Sequence, residues 1–150
     1  MTMTIENIPD CRIAYIRQVG PYGPGNVQTM EKLKTWAHSA GLLKEESIIL
    51  GIAYDAPDTT PPENCRYDAC IILPDKYCIK DSINESKLNG GKYAVFKIDH
   101  TAEAVQEAWL TIFPELQKEN YKLDYSRPIL ERYKTKLINE HYCEICVPLL

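Results

Sequence analysis

Arg12-Ile-Ala-Tyr-Ile-Arg-Gln-Val-Gly20 returns in altered form, 80 residues further on, as Lys92-Tyr-Ala-Val-Phe-Lys-Ile-Asp-His100. Each copy is followed by a helix-like run and then by two short strand-like runs. The chain therefore reads as one small α+β unit written twice. A unit of that size buries too little of its own surface to be stable alone. Two of them packed side by side make a sufficient core, and the seam between them is a natural cleft for a ligand.

Working outward from the first copy, residues 11–19 alternate apolar and polar side chains and predict a strand. Gly20-Pro-Tyr-Gly-Pro-Gly25 breaks regular structure, and Val27, Met30, Leu33 and Ala37 then recur at steps of three and four up to Gly41, which predicts a helix. Residues 48–54 and 65–72 supply two more strands, separated by the turn-rich Asp55-Ala-Pro-Asp-Thr-Thr-Pro-Pro62. A polar stretch, 75–91, joins the halves. In the second half, 92–98 is a strand and 102–119 a helix carrying Val105, Trp109, Ile112 and Leu116, with Pro114 expected to kink or divide it. Residues 128–133 and 142–147 are the last strands. The expectation is a single domain over 1–150 made of two βαββ repeats, at about 5–75 and 90–149. An antiparallel or mixed sheet would carry the helices on one face.

Composition narrows the function. Hydrophobic residues at 45% and charged residues at 25% fit a globular, non-membrane chain. The first residues lack the basic start and apolar run of a secretory signal, so a cytoplasmic location is expected. A formal charge of −4 without a Lys/Arg cluster gives little of the counterion release that drives DNA binding, so no direct nucleic-acid partner is expected. Six cysteines in such a chain read as reduced thiols. Cys143-Glu-Ile-Cys146 is a lone CxxC in a strand, which sends its two thiols to opposite faces; no metal site and no cofactor are expected.

Glu131 is the residue that asks for a reason. Strand periodicity puts it on one face with Ile129 and Tyr133, and an ionised carboxylate buried there without a partner costs several kcal/mol. One reading pairs it with Arg66, Arg127 or Arg132, or points it to water at a sheet edge. The other makes it a counter-charge for a cationic ligand or a general base with a raised pKa. Ten tyrosines against two phenylalanines add rings able to stack on flat or cationic molecules. Tyr15, Tyr54, Tyr67, Tyr93 and Tyr133 lie in predicted strands and Trp109 on the second helix, and these with Glu131 are the candidate ligand-binding residues. His38, His100 and His141 match no nucleophile motif, and Gly20 to Gly25 lacks the Lys-Ser/Thr ending of a phosphate loop.

Residues 49–57, 65–70, 90–96 and Arg127-Pro-Ile-Leu-Glu-Arg-Tyr133 together resemble the GyrI-like small-molecule-binding family, the effector-binding domain of AraC-type and MerR-type multidrug regulators. The resemblance runs from about residue 5 to 149. It implies a duplicated fold of two SHS2-like repeats and a central pocket in which Glu131, in its E-x-Tyr context, meets lipophilic cations. Glu131 and Tyr133 match the family motif; the other aromatics are wall residues by position only. Some members are hydrolases of cyclopropane-containing DNA-alkylating compounds, in which the glutamate would be catalytic, and others protect DNA gyrase. One departure stands out: Thr101-Ala102 follows His100 where members commonly carry an H-x-G pattern. With no helix-turn-helix segment beside the repeat, the expectation is a stand-alone small-molecule-binding domain for sensing or sequestration. A Glu131-dependent hydrolase and a gyrase-modulating interaction protein are the alternatives.

Overall fold

The structure, a computed structural model, describes residues 2–150. In chain order the elements are β1 (Thr2–Ile8), β2 (Cys11–Val19), α1 (Pro24–Ser39), β3 (Ile48–Ala53), β4 (Arg66–Ile72), β5 (Asn84–Leu88), β6 (Gly91–Asp99), α2 (Ala102–Lys118), β7 (Leu130–Lys134), α3 (Thr135–Asn139) and β8 (Tyr142–Pro148). All eight strands form one sheet in the order β1-β6-β8-β7-β3-β4-β2-β5, and every pairing is antiparallel. Read outward from the β7–β3 seam, the order is β8 then β6 on one side and β4 then β2 on the other. The 80-residue offset is thus visible as a symmetric sheet.

The connections force that sheet to curl. β1 and β2 stand six places apart in the strand order, which in a flat sheet is about 29 Å at ~4.8 Å per strand. Only Pro9 and Asp10 separate them in sequence, and three Cα steps reach at most about 11 Å. The same holds for β5 and β6, joined by Asn89 and Gly90. The two ends of the sheet must therefore approach each other, and the two short links cross. Gly90 N–H donates to Asp10 Oδ1 at 2.6 Å, and a Cβ at Gly90 would stand 2.1 Å from the Ile8 carbonyl oxygen.

Curling gives the sheet an inner and an outer face, each with its own core. On the outer face, α2 lays Ala108, Ile112 and Leu116 on Phe96, Ile145 and Val147, while α1 lays Leu33 and Ala37 on Ala14, Ala69 and Ile71. Both long helices share this face, as expected. Ile13, Leu50, Ile52, Val95 and Leu130 close together on the inner face. The α+β class with a fully antiparallel sheet is the observed one.

Several local expectations need correction. The polar stretch 75–91 contains β5, and β1 pairs with β6 at the other edge; each half thus lends its leading strand to the other. Five residues as polar as Asn84-Glu-Ser-Lys-Leu88 carry no core signal, because an edge strand needs none. α2 runs through Pro114 undivided. The carbonyl deprived of its partner there belongs to Leu110, which is exposed, so water can satisfy it. Where the family glycine is absent, Thr101 caps α2, its Oγ accepting from Ala104 N–H at 3.1 Å. None of the helices is long and apolar enough to cross a membrane among the described residues.

Candidate functional site

The seam places the carboxylate. Register sets Glu131 on β7 opposite Gly51 on β3 and Ile145 on β8, and Tyr133 opposite Ile49. These side chains share the outer face, where α1 and α2 leave a gap between them. A cavity of about 480 Å³ opens there, with Val27 and Met30 of α1, Ile49, Tyr67 and Ile138 as its walls and Glu131 and Tyr133 on its floor. Both halves of the chain contribute. Gly51 matters by what it lacks: a Cβ at this position would stand 2.8 Å from the Tyr67 hydroxyl, so only the bare backbone lets that ring lie across the seam beside Glu131.

Burial pushes the Glu131 carboxyl above its ordinary value, and the Tyr133 hydroxyl, donating to Oε2 at 2.5 Å, draws it part of the way back. Burial first and the neighbouring carboxylate second raise both Tyr67 and Tyr133, which keeps their phenols protonated and available as donors. Among the described residues no basic neighbour neutralises Glu131. Arg66 is held by Asp55 at 3.0 and 3.1 Å, and Arg127 by Asp124 at 2.9 Å. Arg132 points to the opposite face, where Glu6 grips it at 3.0 Å through two bonds and Glu144 at 2.9 Å. The pairing reading of Glu131 is therefore excluded for all three arginines. His100 packs its ring 5.6 Å from that of Tyr133, Glu31 and Lys34 of α1 line the cavity, and Asn26 Oδ1 is buried in its wall without a hydrogen-bond partner.

Of the seven candidate residues, Glu131, Tyr133 and Tyr67 meet in this cavity and four do not. Tyr15 and Tyr54 pack against the inner-face core, with the Arg17 guanidinium over both rings at 5.6 and 5.3 Å. Arg17 is itself clamped by the buried Asp68 at 2.8 and 2.9 Å. Tyr93, 2% exposed, sits in the inner-face core under Arg127. Trp109 packs on the α2 cluster beside Phe113. Strand parity separates the tyrosines, and which face each parity takes is fixed by pairing that the sequence does not print. Sequence reasoning also passed over Asn26, Met30 and His100. An amphipathic helix shows the same pattern whether it covers a core or a cavity, and His100 signals only by its place beside the seam. Cys143 faces the α2 cluster and Cys146 the inner core, and among the described residues no group of His, Cys, Asp and Glu is arranged to hold a metal ion.

A duplicated antiparallel sheet with a cavity at the junction of its two halves is the architecture of a small-molecule-binding domain. The chain belongs to the GyrI-like small molecule binding domain family, whose model matches residues 1–150. It is 45% identical over 150 residues to the SPbeta prophage-derived "putative transcriptional regulator YosT" of Bacillus subtilis, covering 99% of each chain. It is 26% identical over 148 residues to a DNA gyrase inhibitor of Cronobacter turicensis, covering 97% of this chain and 93% of that one. Among solved structures, EcmrR in complex with DNA is matched with a TM-score of 0.77 at 14% identity, over 99% of this chain and 57% of EcmrR; the chain thus spans little more than half of EcmrR. The separately determined EcmrR C-terminal domain is matched over 97% of its length, with a TM-score of 0.72 at 14% identity. SAV2435 bound to tetraphenylphosphonium is matched with a TM-score of 0.62 at 15% identity, over 100% of this chain and 94% of that one.

Proposed function

We propose that this domain binds a flat or lipophilic organic cation in the cavity beneath α1, with Glu131 as its counter-charge, for effector sensing or for sequestration of a drug or toxin. The observation that carries the reading is a buried carboxylate whose three candidate arginine partners are all engaged elsewhere. Such a group is destabilising unless something positive completes it, and the phenol rings of Tyr67 and Tyr133 add cation–π attraction of about 0.5–2 kcal/mol each. The tetraphenylphosphonium held by the similarly folded SAV2435 is a ligand of this class.

Titration of rhodamine 6G and tetraphenylphosphonium into wild type and Glu131→Gln tests it. Losing a charged contact worth about 1.5–3 kcal/mol weakens binding roughly 10- to 150-fold. Equal affinities would remove Glu131 from the role. Recovery of the ligand separates binding from turnover: a cyclopropane-containing alkylator returned intact identifies a binding domain, whereas a ring-opened product, lost in Glu131→Gln, identifies a hydrolase with Glu131 as general base. The gyrase-inhibitor relative favours one further assay, supercoiling by purified gyrase with and without the protein.

A further inference from the structure

The inner face of the sheet holds a second cavity, separate from the one at Glu131. Its volume is about 230 Å³, and it lies beneath the crossed links, where Ile8 and Cys11 of one link face Leu88 of the other. Ile48, Leu50, Ile72, Tyr93 and Leu130 add the strand side of its wall. Alternation along β7 separates the two hollows: Glu131 and Tyr133 face the outer one, Leu130 and Arg132 the inner one.

Topology explains why space remains here. Sheets of about eight strands that curl toward closure enclose an interior just wide enough to be filled by side chains or to hold one small ligand. Small residues decide between those outcomes, and the wall carries Cys11 where a larger side chain would reach into the space. A dry cavity of 150 Å³ with a Leu, Ile and Phe lining is already enough to hold benzene or xenon. The charges at the mouth cancel. Arg132, 4% exposed, is satisfied by Glu6 and Glu144, and Lys134 reaches the same Glu144 at 3.7 Å. Two positive and two negative groups leave nothing to attract an ion.

We infer that the interior of the curled sheet is a second binding site, for an uncharged apolar molecule of about single-ring size, independent of the cation site across the seam. The test uses the intact protein with ¹³C-labelled Leu and Ile methyl groups, titrated with benzene and with xenon. Saturable shifts at Leu50, Leu130, Ile72 and Ile48, with Ile138 and Leu43 in the outer cavity unmoved, are expected, and Glu131→Gln gives the same response. Ile72→Phe fills the space and weakens benzene binding at least about tenfold while leaving tetraphenylphosphonium affinity unchanged. Cys11→Met serves if Ile72→Phe does not fold. The proposal is overturned if the inner methyl groups do not respond, if those of the outer cavity respond instead, or if a folded filling variant binds benzene as wild type does. Failure of the cation titration leaves these outcomes unchanged, because the two sites share no side chain.

Discussion

At the scale of single residues, burial of the Glu131 carboxyl costs stability, and the sign of that cost is measurable. Its carboxyl ordinarily titrates near 4.5, and burial raises it in the folded chain. Below the ordinary value both states are protonated and the residue costs nothing. As pH rises, the unfolded chain releases its proton first, so stability falls until pH passes the raised folded value and then stays level. Glu131→Gln keeps a polar group in reach of Tyr133 without the charge. It should therefore melt a few degrees above wild type at pH 8, with the gap closing toward pH 4, as differential scanning calorimetry would read. A gap that is absent or reversed at pH 8 contradicts the desolvated placement. Gly51, directly across the seam, bears on the proposed ligand site more than on the fold. Gly51→Ala meets only the tip of Tyr67, a side chain that can swing away, so stability should change by no more than about 1 kcal/mol while cation affinity falls roughly three- to tenfold. Adding Tyr67→Phe should recover part of the packing, making the pair non-additive in a double-mutant cycle. Additive effects would place the Tyr67 ring elsewhere.

Elements make the contrast sharper, because a glycine away from the seam, Gly90, meets backbone. Gly90 sits where the β1–β2 and β5–β6 links cross, and a Cβ there would lie 2.1, 2.5 and 2.6 Å from main-chain atoms of Ile8, Pro9 and Asp10. No rotamer change relieves that. Gly90→Ala should cost about 2–4 kcal/mol, lowering Tm by about 2–4 °C for each; a Tm within a degree of wild type would mean that the links do not cross as described. The same elements explain what was legible in the sequence. β2 and β6 announce themselves because each carries an apolar and aromatic run, Ile13-Ala-Tyr-Ile16 and Tyr93-Ala-Val-Phe96, bounded by basic residues. β1 and β5 are edge strands whose partners come from the opposite half, so nothing in Thr2-Met-Thr-Ile-Glu-Asn-Ile8 or Asn84-Glu-Ser-Lys-Leu88 encodes where they go. Glu131 and Tyr133 could be read as one face because they are two apart on one strand. Tyr67 could not be assigned to that face, nor Tyr15, Tyr54 and Tyr93 to the other, until the β2–β4, β3–β4 and β3–β7 registers were known.

Over the whole molecule, one strand pair lies between two hollows, with Glu131 in the outer one and apolar walls in the inner one. The outer hollow predicts a proton-linked affinity. Tetraphenylphosphonium carries a permanent charge, so any pH dependence of its binding comes from the protein. Groups that face the site are Glu131, Tyr67 and Tyr133 from the strands, Glu31 and Lys34 from α1, and His100 from the turn before α2. Among these, Glu131 is the acid whose folded value burial has raised. Below that value a bound cation must first displace a proton from it, so the association constant should rise about tenfold per pH unit and then flatten once Glu131 is ionised in the free protein. The profile should hold in His100→Gln, which removes the imidazole beside Tyr133, and should vanish in Glu131→Gln. Isothermal titration in two buffers of different ionisation heat counts the proton directly: one released per cation bound at low pH, none on the plateau. Should the slope persist in Glu131→Gln and disappear in His100→Gln, the imidazole and not the carboxylate governs the cavity's charge.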